Sequence, residues 1–221
     1  MSEWIFFDID DTLLDFQAAQ KKAVRKFYEI HTEDFSLSFD ELYKKWFDIE
    51  QTCFDAYLEG KYDFDGQRRA RFKNVYALSG HTLTDDDAWK CFLEYEDYYR
   101  ECWCLFDDVL PALKKLKAAG YKLGIISNGV RAQQELKLKK TGIFSYFSVI
   151  VTSSDGLAKP GRAIFEHAAA LADADMENCV YVGDNYETDI VAAGFAGMQA
   201  FYVQRPEHGL NEFADNMAAI K

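Results

Sequence analysis

The sequence predicts an α/β protein, in which a three-layer α/β/α sandwich with a parallel sheet carries an inserted all-helical domain. Short apolar runs rich in β-branched and aromatic residues alternate with helical patterns in the second half of the chain. Strand–helix–strand repeats of this kind form parallel sheets whose crossover helices cover both faces. A long interval after the first apolar run shows helical patterns but no convincing strand. We therefore expect a core of residues 1–14 and 104–221 and a helical domain of residues 15–103.

Five short apolar runs predict the buried strands of the core. In chain order they are Trp4–Ile9, Leu123–Ile126, Val149–Thr152, Cys179–Val182 and Ala200–Val203. Helical patterns between the later runs predict the crossover helices, and Gly120 closes the first of them. These helices cover Val109–Ala119, Arg131–Lys140, Ala163–Leu171 and Thr188–Phe195.

The inserted interval contains four helical stretches, which cover Gln17–Ile30, Phe39–Leu58, Gln67–Leu78 and Asp85–Cys102. Thr84 precedes three aspartates and is typical of a helix N-cap with an acidic first turn, which favours a structural role over metal binding. The interval is dense in aromatic residues, including Phe16, Trp46, Phe47, Phe54, Tyr57, Tyr62 and Phe64. Such rings stack on nucleotide bases, but they also pack the interior of a helical domain.

Composition and charge limit the classes of partner. The 221 residues carry a formal net charge of -12, which argues against a nucleic acid polymer as partner. A small anionic substrate would need a cation or a ring of backbone N–H groups, because the overall field repels anions. The cysteines form no C-x-x-C pair, and no apolar run approaches the roughly 20 residues of a membrane-spanning helix. We expect a cytoplasmic protein, monomer or homodimer, with no membrane partner.

Polar residues follow the predicted strands. Asp8 and Asp10 follow the first strand, and the alternation of an extended chain sends both side chains to the same side. That side is the edge where open α/β sheets bind ligands, although an acidic loop that caps a helix is the alternative interpretation. Asp184 follows the fourth strand, and Asp189 lies near the start of the next helix.

Two other strands end in residues that suit a phosphate group. Ser127 and Asn128 follow the second strand and offer a hydroxyl and backbone N–H groups, although Ser-Asn-Gly is also an ordinary turn. Lys159 follows the third strand and would neutralise a phosphoryl group, although most lysines are simply solvated. Four carboxylates would then face one lysine. Hard oxygen ligands without histidine or cysteine favour Mg²⁺, which would remove this excess of negative charge.

These residues resemble the motifs of the haloacid dehalogenase superfamily. The matching order is Asp8-x-Asp10-x-Thr12, Ser127, Lys159 and Gly183-Asp184-x-x-x-x-Asp189. The resemblance covers essentially the whole chain and implies a Rossmann-like core with a helical cap inserted after the first motif. It also implies that Asp8 is the nucleophile, while Asp10 protonates the leaving oxygen and later activates water.

The resemblance implies roles for the other residues of the motifs. Thr12 would help to position Asp10. Ser127, Asn128 and Lys159 would contact the substrate phosphate.

The cofactor that the resemblance implies is Mg²⁺. Asp8, the Asp10 carbonyl and Asp184 would hold the ion. Asp189 would not bind the ion directly but would orient Lys159 or a metal-bound water.

Residues near the nucleophile narrow the reaction. Dehalogenases of the superfamily need no metal and lack the acid that Asp10 supplies, because a halide leaves without a proton. Hexose-phosphate mutases of the superfamily usually carry glycine and valine or isoleucine after the second aspartate. This chain has Asp11 and Thr12 there, and that pair is common among phosphatases. We expect hydrolysis of a phosphomonoester, with a phosphomutase and a 2-haloacid dehalogenase as the less favoured alternatives.

The substrate class is a small phosphorylated metabolite. Asp8 through Phe16, Ile126 through Val130 and Lys159-Pro160 resemble the pyrimidine 5′-nucleotidase subgroup, which hydrolyses nucleoside 5′-monophosphates. Residues 192–194 and 202–204 depart from that subgroup, so a sugar phosphate or a phosphoglycolate-type metabolite is the alternative substrate.

Other charged side chains receive no catalytic role. Lys137, Lys139 and Lys140 lie late in a predicted helix, where positive charge suits the helix dipole, and we expect them to be structural. The four histidines are scattered and show no metal-ligand spacing.

Overall fold

The computed structural model describes residues 3–205 and 207–220, which form two compact units. One unit comprises the described residues of Met1–Phe16 and Trp103–Lys221, and the other comprises Gln17–Cys102. The α-helices, in chain order, are α1 (Phe16–Ile30), α2 (Phe39–Leu58), α3 (Phe64–Ala77), α4 (Asp85–Glu101), α5 (Val109–Ala118), α6 (Arg131–Lys140), α7 (Arg162–Leu171), α8 (Ala192–Ala196) and α9 (Leu210–Ile220).

The first unit is built around a five-stranded parallel sheet, which confirms the predicted α/β fold class. Its strands are β1 (Trp4–Phe7), β2 (Lys122–Ser127), β3 (Val149–Thr152), β4 (Cys179–Gly183) and β5 (Gln199–Tyr202). The strand order is β3-β2-β1-β4-β5, so β1 lies in the centre with β2 and β4 as its neighbours. The carboxyl ends of these three strands therefore meet beside the point where the strand order reverses, which is where such sheets bind ligands.

Two predicted elements differ from the observed ones at the ligand-binding edge. Strand β1 ends at Phe7 and not at Ile9, because the chain turns there and the N–H groups of Leu13 and Leu14 both donate to the Ile9 carbonyl. The helix expected over Thr188–Phe195 is instead a π-helical segment, Tyr186–Val191, followed by the short α8.

Apolar packing fixes the sheet against the helices of the first unit. Phe6, Tyr181 and Phe165 belong to one buried cluster that joins β1 and β4 to α7. A Cβ atom at Gly124 would lie 2.5 Å from the Phe6 ring, so only glycine fits at this point of β2. Burial of each large apolar side chain contributes roughly 1.5–3 kcal/mol to stability.

The second unit is a helical assembly, formed by α2, α3, α4 and nearly all of α1, with an aromatic interior. The Trp46 ring lies 5.5 Å from the Phe72 ring and 5.1 Å from the Tyr95 ring, between centroids. Thr84 caps α4 as predicted, because its hydroxyl accepts the Asp87 N–H at 3.1 Å. Packing in this interior thus accounts for the aromatic side chain of Trp46. Phe47 is 61% exposed and contributes little to the interior.

None of the helices in the described part of the chain is both long enough and apolar enough to cross a membrane.

Candidate active site

The turn after β1 places the first two acidic residues of the site. The Asp8 N–H donates to the Val182 carbonyl at 2.9 Å, which continues the pairing of β1 with β4 for one more residue. The chain then turns through Asp11, whose φ of 55° lies in the left-handed region. Asp8 therefore stays at the end of the central strand, while Asp10 is part of the turn beyond it.

A buried lysine links an aspartate that follows β1 with an aspartate of the π-helical segment after β4. Lys159 Nζ lies 2.9 Å from Asp8 Oδ1 and 2.6 Å from Asp189 Oδ1. The same ammonium donates to the Tyr181 hydroxyl at 2.9 Å, and that hydroxyl donates to the Ile126 carbonyl at 2.8 Å. No pattern in the sequence points to Tyr181, because it has the features of an ordinary buried strand residue.

The Asp189 carboxylate is occupied on both oxygens. Besides the ion pair at Oδ1, Asp189 Oδ2 accepts the Asn185 N–H at 3.0 Å, and the side chain is fully buried. A Cβ atom at Gly183 would collide with this carboxylate, so the Gly-Asp pair at the end of β4 leaves the space that Asp189 fills. These contacts place the Asp189 carboxylate against Lys159, and its role in orienting the lysine stays a prediction.

Thr12 contacts a different aspartate from the one expected. Its hydroxyl donates to Asp184 Oδ1 at 3.0 Å, whereas the sequence predicted that Thr12 would position Asp10. The turn after β1 points the hydroxyl towards the end of β4, and this direction could not be read from the motif spacing.

Asp10 is instead held by helix α6. Lys137 Nζ lies 2.6 Å from Asp10 Oδ1 and 2.7 Å from Oδ2, and the Lys137 side chain is 4% exposed. The expectation that Lys137 only complements the helix dipole is therefore wrong. Lys139 behaves as expected, since it is half-exposed and pairs with Glu135 on its own helix.

The two residues after β2 have different positions. Ser127 is buried, and its hydroxyl accepts the side-chain N–H of Gln134 at 3.0 Å. The Asn128 amide donates to the Lys159 carbonyl at 2.9 Å and accepts the Lys159 N–H at 2.8 Å. The Asn128 side chain therefore fixes the loop that carries Lys159, and its contact with a substrate phosphate stays a prediction.

Burial dominates the electrostatics of the acidic cluster. It raises the pKa of Asp8 above its ordinary value, although the charge of Lys159 opposes this effect. Burial, followed by the charge of Asp8, raises the pKa of Asp184 to about 7. Burial opposes the charge of Lys159, but Asp8 and Asp189 outweigh it and raise the pKa of the ammonium. The protein alone thus leaves the negative charge of the cluster incompletely neutralised.

The chemistry of the donor set fits a divalent metal ion. Carboxylate oxygens of Asp8, Asp184 and Asp189 lie within 4.8 Å of one another. Three carboxylates face one ammonium there, because Asp10 lies against a separate ammonium, that of Lys137. An all-oxygen site with two unbalanced negative charges suits Mg²⁺.

Comparisons with known proteins agree with this geometry. A family model described as a haloacid dehalogenase-like hydrolase matches residues 3–197. The glyceraldehyde 3-phosphate phosphatase of Methanothermobacter thermautotrophicus is 32% identical over 208 residues, which cover 92% of this chain and 86% of that protein. Pyrimidine 5′-nucleotidase YjjG of Escherichia coli is 26% identical over 213 residues, which cover 93% of this chain and 89% of that protein. The solved structure of the HAD-hydrolase YfnB from Bacillus subtilis, bound to magnesium, has a TM-score of 0.79 at 25% identity and covers 98% of both chains.

Proposed function

Since this chain belongs to the haloacid dehalogenase-like hydrolase family and is a phosphatase of that family, we propose that it hydrolyses a small phosphomonoester, with Asp8 as nucleophile and Mg²⁺ as cofactor. The observation that carries the proposal is the buried Asp8 at the end of β1, 2.9 Å from Lys159 and within 4.8 Å of Asp184 and Asp189. This arrangement supplies a nucleophile, a fixed positive charge and metal-binding oxygens at one place.

The proposed reaction has two steps. An Asp8 oxygen attacks phosphorus while the bond to the leaving oxygen breaks, and the leaving oxygen takes a proton from Asp10. Water then attacks phosphorus and gives a proton to Asp10, while the bond to Asp8 breaks and its electron pair returns to the carboxylate. Asp10 therefore ends the cycle in its starting form.

Each neighbouring residue supports one of these steps. The charge of Lys159 favours the ionised form of Asp8 and so opposes the effect of burial, and Asp189 keeps the lysine in place. The Ser127 hydroxyl and the backbone N–H groups after β2 are proposed to bind phosphate oxygens. Asp8, the Asp10 carbonyl and Asp184 are proposed to hold Mg²⁺, which, when bound, neutralises the charge of the phosphate.

The preferred substrate is a nucleoside 5′-monophosphate. Besides the motif resemblance, the helical unit presents exposed aromatic side chains at Phe47, Phe54 and Tyr62, and rings of this kind stack on bases. A sugar phosphate is the second candidate, because the relative from Methanothermobacter thermautotrophicus is named for glyceraldehyde 3-phosphate.

Phosphate release with and without Mg²⁺ tests the proposal. The panel contains pyrimidine and purine 5′-monophosphates, triose and pentose phosphates, phosphoglycolate and p-nitrophenyl phosphate. We expect release that depends on Mg²⁺, is fastest with pyrimidine nucleotides, and falls by more than about 1,000-fold in the Asp8→Asn variant. The amide keeps the shape of the side chain but is not a nucleophile.

The panel separates the reaction from the substrate. Faster release from sugar phosphates would keep the mechanism and replace the nucleotide with a sugar. Activity close to wild type in Asp8→Asn would contradict the assignment of the nucleophile.

A further inference from the structure

We propose that Lys137 is a positioning residue for Asp10, which holds the carboxyl group in the orientation that proton transfer requires. The inference rests on the proposed function, because it assigns a partner to the residue that exchanges protons in that reaction. None of the motifs that match the family includes Lys137, and the sequence predicts for it only a structural role late in a helix.

The geometry of the pair is that of a fixed contact. Lys137 Nζ is almost equally distant from the two oxygens of Asp10, at 2.6 and 2.7 Å. The lysine side chain is 4% exposed, whereas that of Asp10 is 30% exposed, so the ammonium approaches Asp10 from the interior and leaves part of the carboxylate accessible. The Trp103 ring, with its centroid 5.9 Å from Nζ, is a further neighbour of the ammonium.

Helix α6 delivers a second side chain to the same place. Gln134 precedes Lys137 by one helical turn and is also buried, so both side chains lie on the inner face of α6. Its side-chain N–H₂ group lies 3.0 Å from the Ser127 hydroxyl and 3.4 Å from Asp10 Oδ2. One helix face thus contacts both a proposed phosphate-binding residue and the proton-exchanging residue.

A purely structural pair explains this arrangement less well. Burying an ammonium is costly, and a well-packed apolar side chain of similar volume is often as stable as a buried ion pair. Another lysine of this helix, Lys139, pairs with Glu135 while its own side chain stays 52% exposed. The specific feature of Lys137 is that its charge is directed at one catalytic carboxyl group.

The catalytic consequence follows from the direction of proton transfer. When Asp10 gives its proton to the leaving oxygen, the carboxylate that forms is already in contact with an ammonium, and charge-assisted hydrogen bonds of this kind are strong. The same contact keeps the carboxylate oriented towards the water that attacks in the second step. Loss of such a supporting contact typically costs about 10- to 100-fold in activity.

The test compares two leaving groups in the Lys137→Met variant with Mg²⁺ present. The p-nitrophenolate ion leaves without a proton, so kcat/KM for p-nitrophenyl phosphate is insensitive to Asp10, whereas kcat/KM for an alkyl phosphate depends on it. We expect Lys137→Met to lower kcat/KM by about 10- to 100-fold for the best alkyl phosphate of the panel and by less than about threefold for p-nitrophenyl phosphate. KM for the alkyl phosphate should change little. The Lys137→Arg variant should recover most of the kcat/KM that Lys137→Met loses with this substrate.

Two further variants serve as controls. Asp10→Asn should show the same dependence on the leaving group, and Lys139→Met, on the exposed side of the same helix, should match the wild type. If Lys137→Met does not fold, Lys137→Gln, which keeps a donor without the charge, is measured in its place.

These experiments test the role of Lys137 separately from the proposed phosphatase activity. An equal loss for both substrates, or no loss for the alkyl phosphate, overturns the role of Lys137 while the wild type remains an active phosphatase. A wild-type protein that releases phosphate from no substrate overturns the proposed function itself.

Discussion

At the scale of single residues, two lysines contact three of the four aspartates of the site. Lys159 contacts Asp8 and Asp189, and Lys137 contacts Asp10. Asp184 has only the Thr12 hydroxyl as a described hydrogen-bond partner, and burial and the charge of Asp8 raise its pKa to about 7. The charge of Asp184 should therefore depend on a bound cation.

The pKa of Asp184 predicts how pH changes the effect of Mg²⁺ on stability. The folded protein without metal binds the Asp184 proton more tightly than the unfolded chain does, so this group stabilises it at low pH. That contribution is lost as pH rises from about 4 through about 7. Because Mg²⁺ binds the carboxylate form, its stabilising effect should grow over the same range.

Thermal unfolding with and without Mg²⁺ measures this difference. We expect the increase in melting temperature on adding Mg²⁺ to be larger at about pH 8 than at about pH 5.5, and to be reduced in Asp184→Asn at both values. An increase that is equal at both pH values would contradict the position of Asp184 in the metal site.

At the scale of elements, the ends of the strands determine which side chains meet. Motifs that are far apart in the sequence converge because β1, β2 and β4 are adjacent and parallel, and this convergence could be predicted from the sequence alone. The contacts of α6 could not be predicted. Whether Lys137 faces solvent or Asp10 depends on how the helix packs against the sheet. The sequence of α6, with three lysines in its last turn, does not predict which of these lysines is buried.

The glycine that ends β4 gives a test at this scale. A Cβ atom at Gly183 would displace the Asp189 carboxylate, which in turn holds Lys159 beside Asp8. We expect Gly183→Ala to lower kcat by at least about 10-fold, since displacing a catalytic group by about 1 Å can cost about 100-fold. Steady-state kinetics and thermal unfolding measure the effect.

Gly194→Ala is the matched control, because a Cβ atom at this position of α8 has no neighbour within 4 Å. It should keep wild-type activity and gain up to about 1 kcal/mol of stability, as alanine favours helix more than glycine does. Equal activity in the two alanine variants would show that Asp189 does not need the space at Gly183.

At the scale of the whole molecule, the sequence predicted the fold class and the two-unit organisation more fully than the contacts within the site. The expected helical domain of residues 15–103 compares with an observed unit of Gln17–Cys102. Thr12 contacts Asp184 where the sequence predicted Asp10, and the sequence did not predict the contact between the Asn128 side chain and the loop of Lys159. The order of the motifs predicts which residues lie at the same edge of the sheet. Their hydrogen-bond partners depend on side-chain directions, which are set only when the chain folds.

The net charge of -12 also affects how the whole molecule attracts an anionic substrate. An acidic protein repels phosphate esters in solution, so its affinity for them must come from the site itself. Within the first unit, Lys159 and the proposed Mg²⁺ would supply that local attraction.

The central claim, that Asp8 becomes phosphorylated, is tested most directly by trapping the intermediate. In Asp10→Asn with p-nitrophenyl phosphate, the first step needs no proton, while the second step loses its base, so the phosphorylated enzyme should accumulate. Acid quenching followed by peptide mass spectrometry should find one phosphoryl group on the peptide that contains Asp8. Release of p-nitrophenol with no phosphoryl group on that peptide, or with the group on another residue, would contradict the account.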